Sequence, residues 1–175
     1  MTAFRLRFDP AAVPEIASRY SYQYESDERE IEESIAPAVR EQGYFSKDQL
    51  LTVCRWKSPR TKSRVIRNTD DYVQEVTRTA LSTPNERMRI EVLTLLTGVG
   101  WPTASVLLHF GHSDRYPILD YRALWSVSSE PPNVFDFSFW RDYTEFCRET
   151  ADGCGVSMRT LDRALWQYSK EDQPS

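Results

Sequence analysis

The chain is 175 residues long, 40% apolar and 27% charged, with a formal net charge of −4, which suits one folded domain with its own core and excludes a protein coated all round in basic residues. No apolar run approaches the roughly 18 residues of a membrane span, and Arg5, Arg7 and Asp9 interrupt the segment a secretory leader needs, so a cytoplasmic protein without a membrane partner is expected. Cys54, Cys147 and Cys154 are odd in number and form no C-x-x-C pair, so reduced thiols are expected, with no disulfide framework, no metal and no other cofactor.

Helix signals fill the chain from its start. Asp9-Pro10 opens a first helix to about Tyr20, and Ser26 or Asp27 opens a second, with Ile31, Ile35 and Val39 at helical spacing. Pro37 should kink that helix and Gly43 should end it. This stretch is acidic: Glu25, Asp27, Glu28, Glu30, Glu32, Glu33 and Glu41 stand against Arg29 and Arg40. Ser46 caps a third helix with a broad apolar face from Leu50 to Trp56, broken by Lys57-Ser58-Pro59. Arg55, Lys57, Arg60, Lys62, Arg64 and Arg67 then follow with no acidic residue among them. Such a run is either a solvated loop facing the chain's own acidic helix or a stripe that orients a polyanion.

Thr69, Asp70 and Asp71 start a fourth helix with the stripe Tyr72, Val73, Val76 and Ala80. Thr83-Pro84-Asn85-Glu86 predicts a capping box and a fifth helix running to Leu96. The last pair should span Phe137 to Thr150 and Ser157 to Tyr168, parted by the turn Asp152-Gly153-Cys154-Gly155. Arg-Ala-Leu-Trp occurs at 122–125 and 163–166, too short a match to mark a repeat. His109 and His112 are read as satisfying local hydrogen bonds. Strand signals are scarce.

The sharpest local pattern is Leu96-Thr97-Gly98-Val99-Gly100-Trp101-Pro102-Thr103-Ala104. One helix ends, two glycines flank an apolar residue, and a second helix starts with Pro102 near its first position. Glycines let main-chain N–H groups approach a phosphate, and the second helix offers its partly positive N-terminus. Gly98, Val99, Gly100 and Thr103 are therefore candidate backbone contacts, with Lys57, Arg60 and Lys62 from the basic run. A tight helix corner that binds nothing is the alternative reading. Downstream, Asp120 follows the extended lead Tyr116-Pro117-Ile118-Leu119 and opens another helix, as an N-cap or as a functional carboxylate.

These residues resemble the helix-hairpin-helix DNA glycosylases. Leu96-Thr97-Gly98-Val99-Gly100 is similar to the family's Leu-Pro-Gly-Val-Gly hairpin, with Thr97 in place of proline. Ala104 falls on the family's small residue, and Ile118-Leu119-Asp120 resembles the apolar lead and catalytic aspartate. Asp48-Gln49-Leu50-Leu51 and Ser58-Pro59-Arg60-Thr61 are similar to the early helix and the loop that wedges into the duplex, which would bring Arg60 to the gap left by an extruded base. The main match covers Glu86 to Trp125 and the weaker one Ser46 to Thr61.

The departures also carry meaning. Where bifunctional members have a lysine this chain has Pro102, flanked by Trp101 and Thr103, so no amine is available for a Schiff base. Only Cys147 and Cys154 lie near the C-terminus, too few for the family's iron-sulfur cluster. The stretch between Thr61 and Gly98 is 36 residues, short for the family's helical lobe.

The resemblance implies an all-α, DNA-glycosylase-like helical domain over residues 1–175. The helix-hairpin-helix would lie at about 86–110, and residues 1–45 and 130–170 could form a second lobe. The partner would be double-stranded DNA. The activity would be hydrolytic release of a damaged or modified base, with Asp120 stabilising positive charge on the sugar or orienting water. Trp56, Tyr72, Trp101, Tyr121 and Trp125 are candidate rings for the base pocket, core packing being the other use for each. Two further readings stay open: a hairpin module that binds DNA without excision, and an N-glycosidase of a free nucleoside.

Overall fold

The computed structural model describes residues 4–174. In chain order the helices are α1 (Val13–Ser18), α2 (Glu25–Glu30), α3 (Ala36–Gln42), α4 (Lys47–Lys57), α5 (Lys62–Val65), α6 (Asp70–Ser82), α7 (Glu86–Leu93), α8 (Trp101–Gly111), α9 (Tyr121–Ser126), α10 (Phe137–Cys154) and α11 (Met158–Asp172). Tight 3-10 turns at Pro10–Ala12 and Pro59–Thr61 precede α1 and α5. No strand occurs among the described residues, so the architecture is all-helical. None of the described helices is long and apolar enough to cross a membrane.

The chain forms two compact units, residues 23–114 and residues 4–22 with 115–174. Residues 23–45 belong with the helices around the glycine pair, and 115–129 belong with the terminal helices.

In the unit 23–114, α8 is the centre, with every residue from Thr103 to Gly111 buried. A helix apolar on all sides needs neighbours on all sides, and α3, α4 and α7 pack against it. Gly111 lets α8 approach the ring of Phe45, since a Cβ there would stand 2.7 Å from that ring. Thr77 of α6 accepts the Phe45 N–H at 2.9 Å, so the loop before α4 keeps its buried polar group paired.

Local chemistry explains most boundaries. Gly43 ends α3 with φ +80°, and Ser46 and Gln49 form a reciprocal capping box on α4. Pro37 produces a widened turn: residues 31–35 are π-helical, and the Ala36 N–H reaches back to the Ile31 carbonyl. Proline has no N–H for the i−4 carbonyl and crowds it, and the extra residue per turn relieves that conflict. Thr83 does not cap α7. Asn85 does, accepting the Met88 N–H at 2.9 Å, while the Thr83 hydroxyl accepts the Asn85 N–H. Pro84 keeps Thr83 extended, so the helix starts two residues later than a Thr83 cap would place it.

In the terminal unit, α11 packs against α1, α9 and α10. The N-terminal segment runs beside the end of α9, Arg5 and Arg7 donating their N–H groups to the carbonyls of Val127 and Ser126. Phe4 sits among Phe139, Tyr143 and Phe146 at ring separations of 5.6 Å. Helix α10 runs to Cys154, four residues beyond Thr150 and through Asp152-Gly153-Cys154 of the expected turn, before left-handed Gly155 ends it, and Ser157 caps α11.

Candidate nucleic-acid interface

The basic run lies at the end of α4 and in the short turns after it. Its first member is neutralised: the Arg55 guanidinium donates to both carboxylate oxygens of Asp27 at 2.8 Å, tying α2 to α4. That hydrogen-bonded guanidinium holds the Asp27 carboxyl below its ordinary value and raises the Arg55 pKa in turn. Arg60, Lys62, Arg64 and Arg67 are exposed and make no ion pair among the described residues. Lys57, half-buried, has interactions of its own.

The connection between α7 and α8 packs directly on this basic segment. Helix α7 stops at Leu93, short of the expected Leu96, and the N–H groups of Thr94, Leu95 and Leu96 each bond three residues back as the chain tightens. Asn68, only 4% exposed, then grips the turn. Its Oδ1 accepts the Thr97 N–H at 2.9 Å, while its Nδ2 donates to the Thr97 carbonyl at 2.9 Å and the Val65 carbonyl at 2.8 Å. Gly98 follows with φ +86°, and a Cβ there would stand 2.8 Å from Val65 Cγ2 and 3.0 Å from Arg64 Cβ. Glycine is thus required twice over, by conformation and by the closeness of α5.

Val99 is buried and its N–H is spent on the Leu96 carbonyl at 3.0 Å. Gly100 is the N-cap residue of α8, extended at φ −101° and ψ −177°, with no side chain to satisfy the helix N-terminus. The N–H groups of Gly98 and Gly100 meet no acceptor among the described residues. Thr103 is buried, as is Ala104. Of the four hairpin residues read from sequence, Gly98 and Gly100 offer main-chain donors; Val99 and Thr103 build the scaffold beneath them.

Asp120 belongs to the terminal unit. It is extended at φ −134° and ψ 143°, follows four buried residues, is half-exposed, and its Oδ1 accepts the Arg122 N–H at 2.9 Å as the cap of α9. Tyr143 donates to the Ile118 carbonyl at 3.2 Å, fixing the lead into Asp120. Its hydroxyl is pushed well above the ordinary tyrosine value, chiefly by burial and then by neighbours that include the Asp162 and Asp120 charges.

The candidate rings have different surroundings. Trp56 is 5% exposed and edge-on to Phe110, part of the core. Tyr72 is exposed and Trp101 half-buried in the same unit. In the terminal unit Tyr121 is exposed, whereas Trp125 is stacked on Tyr168 at 5.8 Å and has the Arg7 guanidinium 4.6 Å from its ring centroid. Sequence reasoning passed over the cluster of Tyr20, Tyr22 and Trp166, whose ring centroids lie 5.3 to 6.4 Å apart and over which Arg122 approaches Trp166 at 5.6 Å. It named Arg64 and Arg67 in the basic run without making them candidate contacts, and it passed over Asn68. The two arginines belong to the basic run, while Asn68 carried no local signal.

His112 Nδ1 accepts the Asp114 N–H at 3.0 Å, a local role, and His109 is buried beside Phe110. Among the described residues no group of three His, Cys, Asp or Glu side chains is placed to hold a metal ion. A cavity of about 480 Å³ in the terminal unit is lined mainly by apolar residues of 4–10 and α10, and Asp120 is not among them. No family model, characterised protein or solved structure matches the chain.

Proposed function

We propose that this protein binds double-stranded DNA along its phosphate backbone and is a monofunctional DNA N-glycosylase, hydrolysing the bond between a damaged or modified base and its sugar. The observation that carries the reading is the packing of the Gly98–Gly100 turn on α5. Two unspent main-chain donors and the unpaired cations Arg60, Lys62, Arg64 and Arg67 belong to one continuous piece of structure. Main-chain donors and cations of this kind hold a backbone without reading sequence.

The chemistry is assigned to Asp120. A base drawn out of the stack would leave its sugar as positive charge builds on the ring, and a carboxylate beside it stabilises that charge or orients the attacking water. With Pro102 where a lysine nucleophile would be needed, the reaction ends at base release. The test is mass-spectrometric detection of free bases from duplexes carrying varied modified bases. Asp120→Asn should slow release at least about 100-fold, the lower end for a lost acid-base group; unchanged release would overturn the assignment.

A second reading is a backbone-binding module without excision. It is favoured by Asp120 Oδ1, which is already engaged by the Arg122 N–H as an ordinary helix cap. Salt-dependent DNA affinity with no base released from any duplex would select it.

A further inference from the structure

Asn68 is a buried amide that both accepts from the N–H and donates to the carbonyl of one residue, Thr97, 29 residues away in the chain. A third bond, to the Val65 carbonyl, ties it to the end of α5, where Arg64 stands one residue earlier. Three bonds of 2.8–2.9 Å on one amide leave the side chain a single orientation. They also fix the α7–α8 turn against the basic helix at the residue just before Gly98. Buried polar groups with every bond made specify one arrangement of the elements they join.

We propose that Asn68 is a positioning residue for the DNA-backbone site: it sets the register between the Gly98 and Gly100 donors and the Arg64 side chain, so that both engage the same stretch of backbone. The inference rests on the DNA-binding reading above, and needs no excision activity. It follows from how the two parts are built. Arg64 has a long, rotatable stem on a helix of one turn, and the donors sit on a seven-residue connection, so neither is rigid alone. Asn68 fixes the main-chain attachment of Arg64 relative to the two donors, which lowers the ordering cost of engaging both together.

The test is a double-mutant cycle on the full chain, reading affinity for a fluorescent duplex and its dependence on salt. Arg64→Ala alone should weaken binding and flatten the slope of log K against log salt by about 0.9, one phosphate contact. Asn68→Ala alone should weaken binding at least fivefold, although it removes no charge. In the Asn68→Ala background the effect of Arg64→Ala should shrink by at least half, because the register that lets Arg64 share the site is gone.

Asn68→Asp keeps an acceptor for the Thr97 N–H but loses both donations, and it serves in the same cycle if Asn68→Ala fails to fold. Circular dichroism at the assay temperature establishes that each variant is folded. A purely stabilising role for Asn68 would lower the unfolding temperature and leave the Arg64→Ala effect undiminished; that result would overturn the inference while the DNA-binding reading stands. Absence of salt-dependent affinity in the unmodified protein would overturn that reading itself.

Discussion

Asp27 and Arg55 are joined by two hydrogen bonds of 2.8 Å, which tie the acidic helix α2 to the first residue of the basic run. The Asp27 carboxyl is held below its ordinary 3.8 by that guanidinium. A carboxyl whose folded pKa is depressed contributes stability above its unfolded value and loses it as pH falls through the folded value. The contribution of this pair should therefore be complete at neutral pH and vanish progressively below about pH 4. Asp27→Asn should cost about 0.5–1 kcal/mol at pH 7 and almost nothing in strong acid, measured by urea unfolding across pH. Releasing Arg55 should also steepen the salt slope of DNA binding, by at most about 0.9.

The two glycines of the α7–α8 turn should respond differently to substitution. Gly98→Ala imposes a left-handed backbone on alanine and drives a methyl into Val65 and Arg64, an expected loss of about 2–4 kcal/mol. Gly100 has an ordinary φ, and the nearest atom to an added Cβ is Pro102 Cδ at 3.9 Å, so Gly100→Ala should cost about 1 kcal/mol or less, the difference between glycine and alanine at an N-cap. Thermal denaturation of the two variants decides this, and equal losses would contradict it. The DNA affinity of Gly100→Ala should still fall, because the methyl stands where a phosphate would approach the main chain.

Much of this structure was legible locally. Ser46, Gly43 and the Gly100-Trp101-Pro102 start of α8 each act through their own neighbours, and each forms the boundary its chemistry requires. The departures arise where two local signals compete. Pro37 could kink a helix or widen it, and packing of Ile31 and Ile35 selects the π turn, which buries both. Thr83 and Asn85 are both good caps, and Pro84 between them decides for the second. What sequence could not carry was long-range. Nothing near Asn68 announces a bond to Thr97, and nothing in the charge pattern says that the acidic helix takes Arg55 and leaves Arg60, Lys62, Arg64 and Arg67 exposed. The candidate rings show the same limit, since Trp56 and Tyr72 share a sequence-level reading yet one is core and the other surface.

The three thiols should separate cleanly. Cys54 and Cys147 are 1% and 0% exposed, and burial pushes the Cys54 thiol up to about 12 and raises that of Cys147 further. Cys154 is half-exposed, its thiol only 3.5 Å from the Pro10 carbonyl. Thiolate is the reactive form, so native protein should take one maleimide, at Cys154, and denatured protein three. Native labelling of Cys54, read by peptide mass, would contradict the burial of α4.

The central claim is that α5 and the Gly98–Gly100 turn form one surface for a DNA backbone. Its most direct test is a salt titration of duplex affinity for the unmodified protein and for Arg60→Glu with Arg64→Glu. The account predicts a linear fall of log K with log salt in the unmodified protein, and in the variant an affinity lower by at least tenfold with a slope flatter by about 2. Identical affinity and slope for the two proteins would contradict it.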